Sequence, residues 1–156
     1  MNAFKSILAA AALTSLGVPA AAQMVEADHD EVSAALEAGG YPAEILGSGG
    51  ARFIGSDYEG AKFGVIFFGC DDEGDGCKSV MLFSRFTNDT GISKEQMNDY
   101  AADNRWARFY VDGDGDLVME QDVDLEDGGM SQELFIDNVQ YFVAAMVKFI
   151  GWAGEQ

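Results

Sequence analysis

Three aspartates at alternate positions, Asp112, Asp114 and Asp116, are the clearest candidates for metal chemistry in this sequence. Alternate carboxylates supply oxygen ligands in the first half of a calcium-binding loop. The second half of such a loop is missing, because Leu117 stands where the loop needs glycine and Val123 where it needs a bidentate glutamate. The run therefore predicts a solvated hairpin turn, and no metal or other cofactor is expected.

A second acidic turn, residues 71–76, has the sequence DDEGDG. Counting from Asp71, Gly76 falls at the glycine position of a calcium loop, but Leu82 falls at the last ligand position. This segment is also predicted to be a solvated turn. Together, the acidic turns 71–76 and 112–116 leave one alternative function open, a sensor of a small ligand or a cation.

Cys70 and Cys77, the two cysteines of the chain, stand on either side of the first acidic turn. In an exported protein, two cysteines that flank a hairpin loop predict a structural disulfide. Their C-x6-C spacing differs from the C-x-x-C spacing of thiol oxidoreductases, which argues against a redox role.

Catalytic residues are harder to find in this sequence. His29, the only histidine, stands between two aspartates. It lies near the N-terminus that would remain after removal of a predicted signal peptide at residues 1–22, and we expect it to lie on the surface. The 27 acidic residues are too numerous for a catalytic pair to be chosen by adjacency. No catalytic constellation is recognised, so the sequence predicts a protein that is not an enzyme.

The first 22 residues have the three parts of a secretory signal peptide: a basic start at Lys5, an apolar run at 7–16 and alanines at 20–22. The apolar run is shorter than the ~20 residues that span a bilayer, so no stable membrane insertion is expected after cleavage. Residues 23–156 then form a single domain in the periplasm or outside the cell. The net charge of −18 disfavours binding to nucleic acid or to anionic lipid surfaces.

Hydrophobic periodicity predicts nine elements in the order α-β-β-β-β-α-β-β-α. Helices are predicted at 28–38, 93–104 and 131–150, and strands at 43–46, 52–56, 62–70, 77–86, 107–111 and 117–123. The fold class is therefore α+β, an antiparallel sheet with helices packed mainly on one face.

The hairpin around the cysteines has a predicted register that places Phe68 opposite Ser79 and Ile66 opposite Met81. In this register both faces of the hairpin are apolar. One face is expected to lie under helices, and the other needs some cover as well.

Several aromatic residues are candidates for a surface that receives a partner or ligand, although such residues more often lie in a core or an interface. The candidates are Trp106, Phe109, Tyr110, Phe135, Phe142 and Trp152.

An ordered set of motifs resembles the bacterial YbjN family of sensory transduction regulators. The motifs are Gly40-Tyr41, the strand end FFGC at 67–70, Asn104-Arg105-Trp106 before RFYVDGDGDLVMEQDVDL, and GGMSQELF at 128–135. The resemblance implies a fold similar to type III secretion chaperones, which dimerise and cradle extended peptide segments. It therefore implies a protein or peptide partner and a homodimer, and it transfers no catalytic residue.

From the residues and the resemblance together, the predicted function is that of an exported, non-enzymatic binding or regulatory module. Its partner is expected to be a protein or peptide bound in a chaperone-like manner.

Overall fold

The computed structural model describes residues 23–156, and the predicted signal peptide lies outside these residues. The helices are α1 (His29–Ala38), α2 (Lys94–Asp103) and α3 (Gln132–Gly154). The strands are β1 (Met24–Val25), β2 (Glu44–Leu46), β3 (Phe53–Tyr58), β4 (Ala61–Phe68), β5 (Ser79–Phe86), β6 (Arg108–Val111), β7 (Leu117–Asp124) and β8 (Met130–Ser131). A 3₁₀ turn spans Gly49–Ala51.

Six strands form one antiparallel sheet in the order β2-β3-β4-β5-β7-β6. Phe68 pairs with Ser79 and Ile66 pairs with Met81, which confirms the register predicted for the central hairpin. The predicted α+β class and its element order are likewise confirmed, apart from two short additional strands.

The additional strands, β1 and β8, pair with each other in a separate two-stranded sheet. The chain can approach itself closely here because Gly129 has a φ of 73°, and a Cβ at this position would lie 2.1 Å from the carbonyl oxygen of Val25. A side chain on residue 129 would therefore collide with the backbone of β1. This contact anchors the N-terminal end of the described chain.

Each helix begins with a side-chain cap. Asp28 accepts hydrogen bonds from backbone N–H groups of the first turn of α1. Ser93 and Gln96 form a capping box at the start of α2, and Ser131 caps α3. α3 runs to Gly154, four residues beyond its predicted end.

All three helices contact the same face of the sheet. The His29 ring of α1 stacks on Phe67 of β4, with centroids 3.8 Å apart. The Phe142 ring of α3 lies 5.8 Å from that of Phe63, also on β4. Tyr100 of α2 contacts the Phe109 ring of β6 at 5.0 Å. The main core therefore lies between the sheet and the helices.

α3 is the central helix of this core. Its buried residues are Phe135, Val139, Phe142, Val143, Met146 and Phe149. In the described chain, α3 is also the helix that is long and apolar enough to cross a membrane. α3 also exposes Leu134, Tyr141, Val147 and Ile150, so it carries more apolar surface than the core uses.

Candidate functional site

The sheet face opposite the helices, hereafter the open face, is covered by no helix or strand within residues 23–156. Its side chains alternate with those of the core face along each strand. The register aligns a continuous apolar row across four strands. This row consists of Leu46, Phe53 and Ile66, which are half-buried, and Met81, which is 8% exposed. Apolar side chains in such a row would offer an extended ligand several successive contacts.

A pair of glycines makes a depression in the open face. Gly55 of β3 pairs directly with Gly64 of β4, so two neighbouring positions lack side chains. The Phe83 ring lies over Gly64, where a Cβ would come within 2.3 Å of the ring. Leu46 approaches Gly55 in the same way, at 3.0 Å. These residues, with Phe53, line a groove of about 470 Å³, a volume typical of ligand sites.

Charged side chains stand at the margin of this groove. Glu44 and Asp57 supply carboxylates, while Lys62 and Arg85 supply cations. Lys62 is exposed, and no carboxylate lies within salt-bridge distance of it in the described part of the chain. Its ammonium group is therefore available to a carboxylate or carbonyl of a bound partner.

Arg85 also links the groove to the acidic turn 112–116. Its guanidinium group lies 3.0 Å from a carboxylate oxygen of Asp112, 2.8 Å from one of Asp114 and 2.9 Å from one of Asp116. The three aspartates thus surround a cation that the protein itself supplies. The turn holds Arg85 in place at the end of the groove.

The backbone of this turn is organised by Asp112. Its Oδ1 accepts hydrogen bonds from the backbone N–H groups of Asp114 and Asp116, at 2.9 and 3.0 Å. Partial burial acts to raise the pKa of Asp112, but these N–H groups and the Arg85 charge outweigh it and lower the pKa. Asp112 therefore stays ionised as a structural residue of the turn.

The turn 71–76 repeats this arrangement. Asp71 Oδ1 accepts hydrogen bonds from the N–H groups of Glu73 and Asp75, at 3.1 and 2.8 Å. Arg52 donates to the Asp75 carboxylate and to the carbonyl of Gly74. Each acidic turn is thus closed by its first aspartate and neutralised in part by an arginine. Within residues 23–156, no group of three or more histidine, cysteine, aspartate or glutamate side chains is arranged to hold a metal ion.

The comparison that decides the family is a match over nearly the whole described chain. Residues 28–155 match the YbjN family model, described as "Putative bacterial sensory transduction regulator". The chain belongs to the YbjN family. The resemblance noted in the sequence is therefore confirmed.

A solved structure shares the fold of this YbjN chain. The crystal structure of an uncharacterized protein from Methanothermobacter thermautotrophicus aligns with a TM-score of 0.57, covering 81% of this chain and 96% of that one. Sequence identity is 11%, so the similarity concerns the fold alone. Among curated proteins, none matches this sequence.

The aromatic residues predicted to form a partner surface do not form one surface in the YbjN domain. Phe109, Phe135 and Phe142 are buried in the core, so their predicted place on a surface is wrong. Apolar side chains of α3 and β6 pack against the sheet and α2, where they remove the most apolar area from water.

The other three candidates are separated. Trp106 is 50% exposed and stacks on Tyr141 of α3, on the helix side of the YbjN domain. Tyr110 is 39% exposed on the opposite, open face, where its hydroxyl donates to Glu120 at 2.8 Å. Trp152 is half-buried against Tyr100. Of the six, Tyr110 alone belongs to the open face.

The residues of the groove were missed as site residues. Gly55 and Gly64 interrupt strands, and a glycine inside a strand often marks a close approach by a ligand or another chain. That signal was present in the sequence. Its meaning depends on the pairing of β3 with β4, which brings the two glycines together.

The Cys70–Cys77 disulfide predicted from the sequence is present in the YbjN domain. It closes the turn 71–76 at the turn end of the β4–β5 hairpin, and no free cysteine lies among the described residues.

Removing this disulfide should lower stability. Closing a loop of about 8 residues stabilises a fold by roughly 2.5 kcal/mol in the chain-entropy model. We therefore expect Cys70→Ser with Cys77→Ser to lower the free energy of unfolding in urea by about that amount. Reduced wild-type protein should match the double variant, whereas equal stability of the oxidised and reduced forms would contradict the expectation.

His29 is not on the surface as the sequence predicted. It is the first residue of α1, only 5% exposed, and its ring lies flat on Phe67. The flanking aspartates indicate a surface position because they face solvent, but the His29 ring packs into the core. No hydrogen-bond partner reaches its Nε2 among the described residues. Burial, and secondarily the charge of Arg52, lowers the pKa of His29 below its usual 6.5.

This burial predicts a pH dependence of stability. Because the pKa is lower in the folded state, the unfolded chain binds more protons as the pH falls below about 6.5, and stability is lost. The free energy of unfolding of wild type relative to His29→Phe should therefore decrease between about pH 7.5 and about pH 5. A constant difference across this range, measured by urea denaturation, would contradict the buried, neutral state of His29.

Proposed function

We propose that this YbjN domain is an exported, non-enzymatic regulatory module that binds an extended apolar segment of a partner protein on its open face. The observation that carries the proposal is the apolar row that leads into the Gly55–Gly64 depression without cover from any described element. Leu46, Phe53 and Ile66 of this row are partly exposed, and contiguous apolar surface of this kind marks interaction sites.

An extended segment fits this surface better than a compact small molecule. The row crosses β2, β3, β4 and β5, while the groove occupies only part of it. A peptide lying along the row would place successive side chains over it, with one anchor in the groove. The ammonium group of Lys62 at the margin would donate a hydrogen bond to a backbone carbonyl or a carboxylate of the segment.

A non-enzymatic role is supported by the chemistry of the described residues. The open face carries no histidine or cysteine, since His29 is buried on the core face and both cysteines are joined in the disulfide. The YbjN family is described as a family of regulators. Recognition without covalent chemistry agrees with both observations.

The alternative function, a sensor of a cation or small ligand at the acidic turns 71–76 and 112–116, is less well supported. In both turns an arginine already binds the carboxylates that an incoming cation would use. A cation would have to displace Arg85 or Arg52 before it could bind. Calorimetric titration with calcium is therefore expected to give no heat of specific binding.

Export to an oxidising compartment is supported by the Cys70–Cys77 disulfide, because such bonds persist mainly in those compartments. We expect intact mass spectrometry of the protein from a periplasmic fraction to give the mass of a chain that begins at Gln23. Recovery of only the full-length chain from the cytoplasm would contradict export.

Photo-crosslinking in intact cells tests the binding site directly. A photo-reactive phenylalanine analogue at Phe53, beside the groove, should give a discrete adduct with one partner segment, identified by mass spectrometry. The same analogue at Glu37, exposed on the opposite side in α1, is the matched control and should not give this adduct. Identical adducts from both positions, or none from Phe53, would contradict the proposal.

A further inference from the structure

Two turns pack against each other at one end of the main sheet. Residues 47–52 connect β2 to β3, and the turn 71–76 lies between β4 and β5. Gly74 approaches the first connection so closely that a Cβ at this position would lie 2.8 Å from the carbonyl oxygen of Gly49. The φ of Gly74 is 85°, a backbone angle that glycine adopts without strain. The absence of a side chain at Gly74 therefore allows the two turns to meet.

Arg52 joins the two turns. Its Nε donates to the carbonyl of Gly49 in its own turn at 3.2 Å, and its Nη2 donates to the carbonyl of Gly74 at 3.0 Å. The same Nη2 group donates to the carboxylate of Asp75. The Arg52 side chain is only 28% exposed, and hydrogen bonds from a charged donor are among the stronger ones in proteins. The position of the β2–β3 connection therefore depends on where the disulfide-closed turn holds these acceptors.

The β2–β3 connection also positions one wall of the groove. Glu44 and Leu46 of β2 line the groove together with Phe53 and Gly55 of β3. β2 is an edge strand of three residues, and its neighbour in the sheet is β3. The register of a hairpin is fixed by its turn, which matters most when one strand is this short. The contact between the two turns thus extends its effect to the proposed binding site.

The Cys70–Cys77 disulfide restricts the turn that Arg52 contacts. The loop that it closes contains two glycines with positive φ, so the open loop would have wide conformational freedom. Thiols are kept reduced in the cytoplasm, whereas disulfides form in exported proteins. The acceptors of Arg52 are therefore confined more tightly in the oxidised, exported chain than in a reduced precursor.

We propose that formation of the Cys70–Cys77 bond completes the binding site, so that the open face binds its partner segment tightly only after export. This inference rests on the proposed function and adds its regulation. The two thiols give up two protons and two electrons, which convert the disulfide of an oxidising protein to two thiols. The reduced precursor keeps the fold but has a loosely held β2–β3 connection, and therefore an incomplete groove wall. Binding in the cytoplasm, before export, is prevented in this way.

Amide hydrogen exchange under native conditions tests the structural part of this proposal without any ligand. The oxidised mature chain is compared with the double variant Cys70→Ser with Cys77→Ser. Exchange at β2, and at the β3 residues paired with it, should accelerate by about tenfold or more relative to exchange at β7 in the double variant. Equal acceleration at β2 and β7 would indicate a general loss of stability and would overturn the proposal. Unchanged exchange at β2 would overturn it as well.

Isothermal titration with a synthetic copy of the segment crosslinked at Phe53 tests the regulatory part. The double serine variant should raise the dissociation constant by about tenfold or more, and wild type reduced by a dithiol should match it. Equal affinity of the oxidised and reduced forms would overturn the regulation while leaving the binding site intact. Absence of binding by either form would overturn the proposed function and this regulation with it.

Two matched variants separate the contact between the turns from the loss of the disulfide. Arg52→Gln keeps the disulfide but removes the charged donor between the turns, so it should weaken binding of the segment in the same direction. Lys78→Gln removes a cation next to the same disulfide, one that pairs with Glu126 after β7, and it should bind like wild type. Wild-type affinity of Arg52→Gln, or equal weakening by both variants, would contradict transmission through the two turns.

Discussion

Replacing Phe142 by alanine is expected to lower the free energy of unfolding by about 3 to 5 kcal/mol, the usual effect of removing a fully buried phenylalanine. Phe142 is fully buried on α3 and contacts the Phe63 ring of the central strand. The loss combines the apolar contacts of the ring with the cavity that it leaves behind. Urea denaturation monitored by circular dichroism measures the change.

Tyr141→Ala is the control for this prediction. Tyr141 is adjacent in the chain but 44% exposed, so its loss should change the free energy of unfolding by much less. Denaturation should be followed at a concentration where both proteins have the same oligomeric state. If Phe142→Ala lowered the free energy of unfolding as little as Tyr141→Ala, the result would contradict the packing of α3 on the sheet.

The second large effect is expected for binding. Gly64→Leu would push the Phe83 ring aside and fill the depression that it forms with Gly55. We expect this variant to weaken binding of the crosslinked partner segment by about tenfold or more, equivalent to 1.4 kcal/mol or more of binding free energy. Isothermal titration with a synthetic copy of the segment gives the affinity.

Gly113→Leu provides a matched control for the same substitution. Gly113 is exposed in the turn 112–116, and a Cβ there would meet no other atom within 4 Å. The Gly113→Leu variant should bind the segment with wild-type affinity. If both variants weakened binding of the segment equally, or if neither did, the groove would not be the binding site.

Much of the fold was predictable because its local signals agree. The strands β4 and β5 combine β-rich composition with the two cysteines that fix their register, and this register is confirmed. The caps at Ser93 and Ser131 mark two helix starts. By contrast, β1 and β8 have two residues each and depend on a contact between distant segments, which no local pattern specifies.

The site was less predictable because it depends on which surfaces meet. α3 is apolar on more than one side, so its periodicity indicates a helix without showing that Phe135 and Phe142 face the sheet. The Gly55–Gly64 depression exists only through pairing of β3 with β4. His29 shows the same limit, since its acidic neighbours indicate a surface position while its ring packs on Phe67.

Methyl NMR spectra of the mature protein, recorded as the synthetic partner segment is added, test most directly whether the open face is the binding site. Shifts should concentrate on open-face methyl groups, those of Leu46, Ile66 and Met81, while the core methyls of Val139 and Met146 on α3 change little. Shifts confined to α3 or to residues beside the acidic turns, with the open-face methyls unchanged, would contradict binding at the open face.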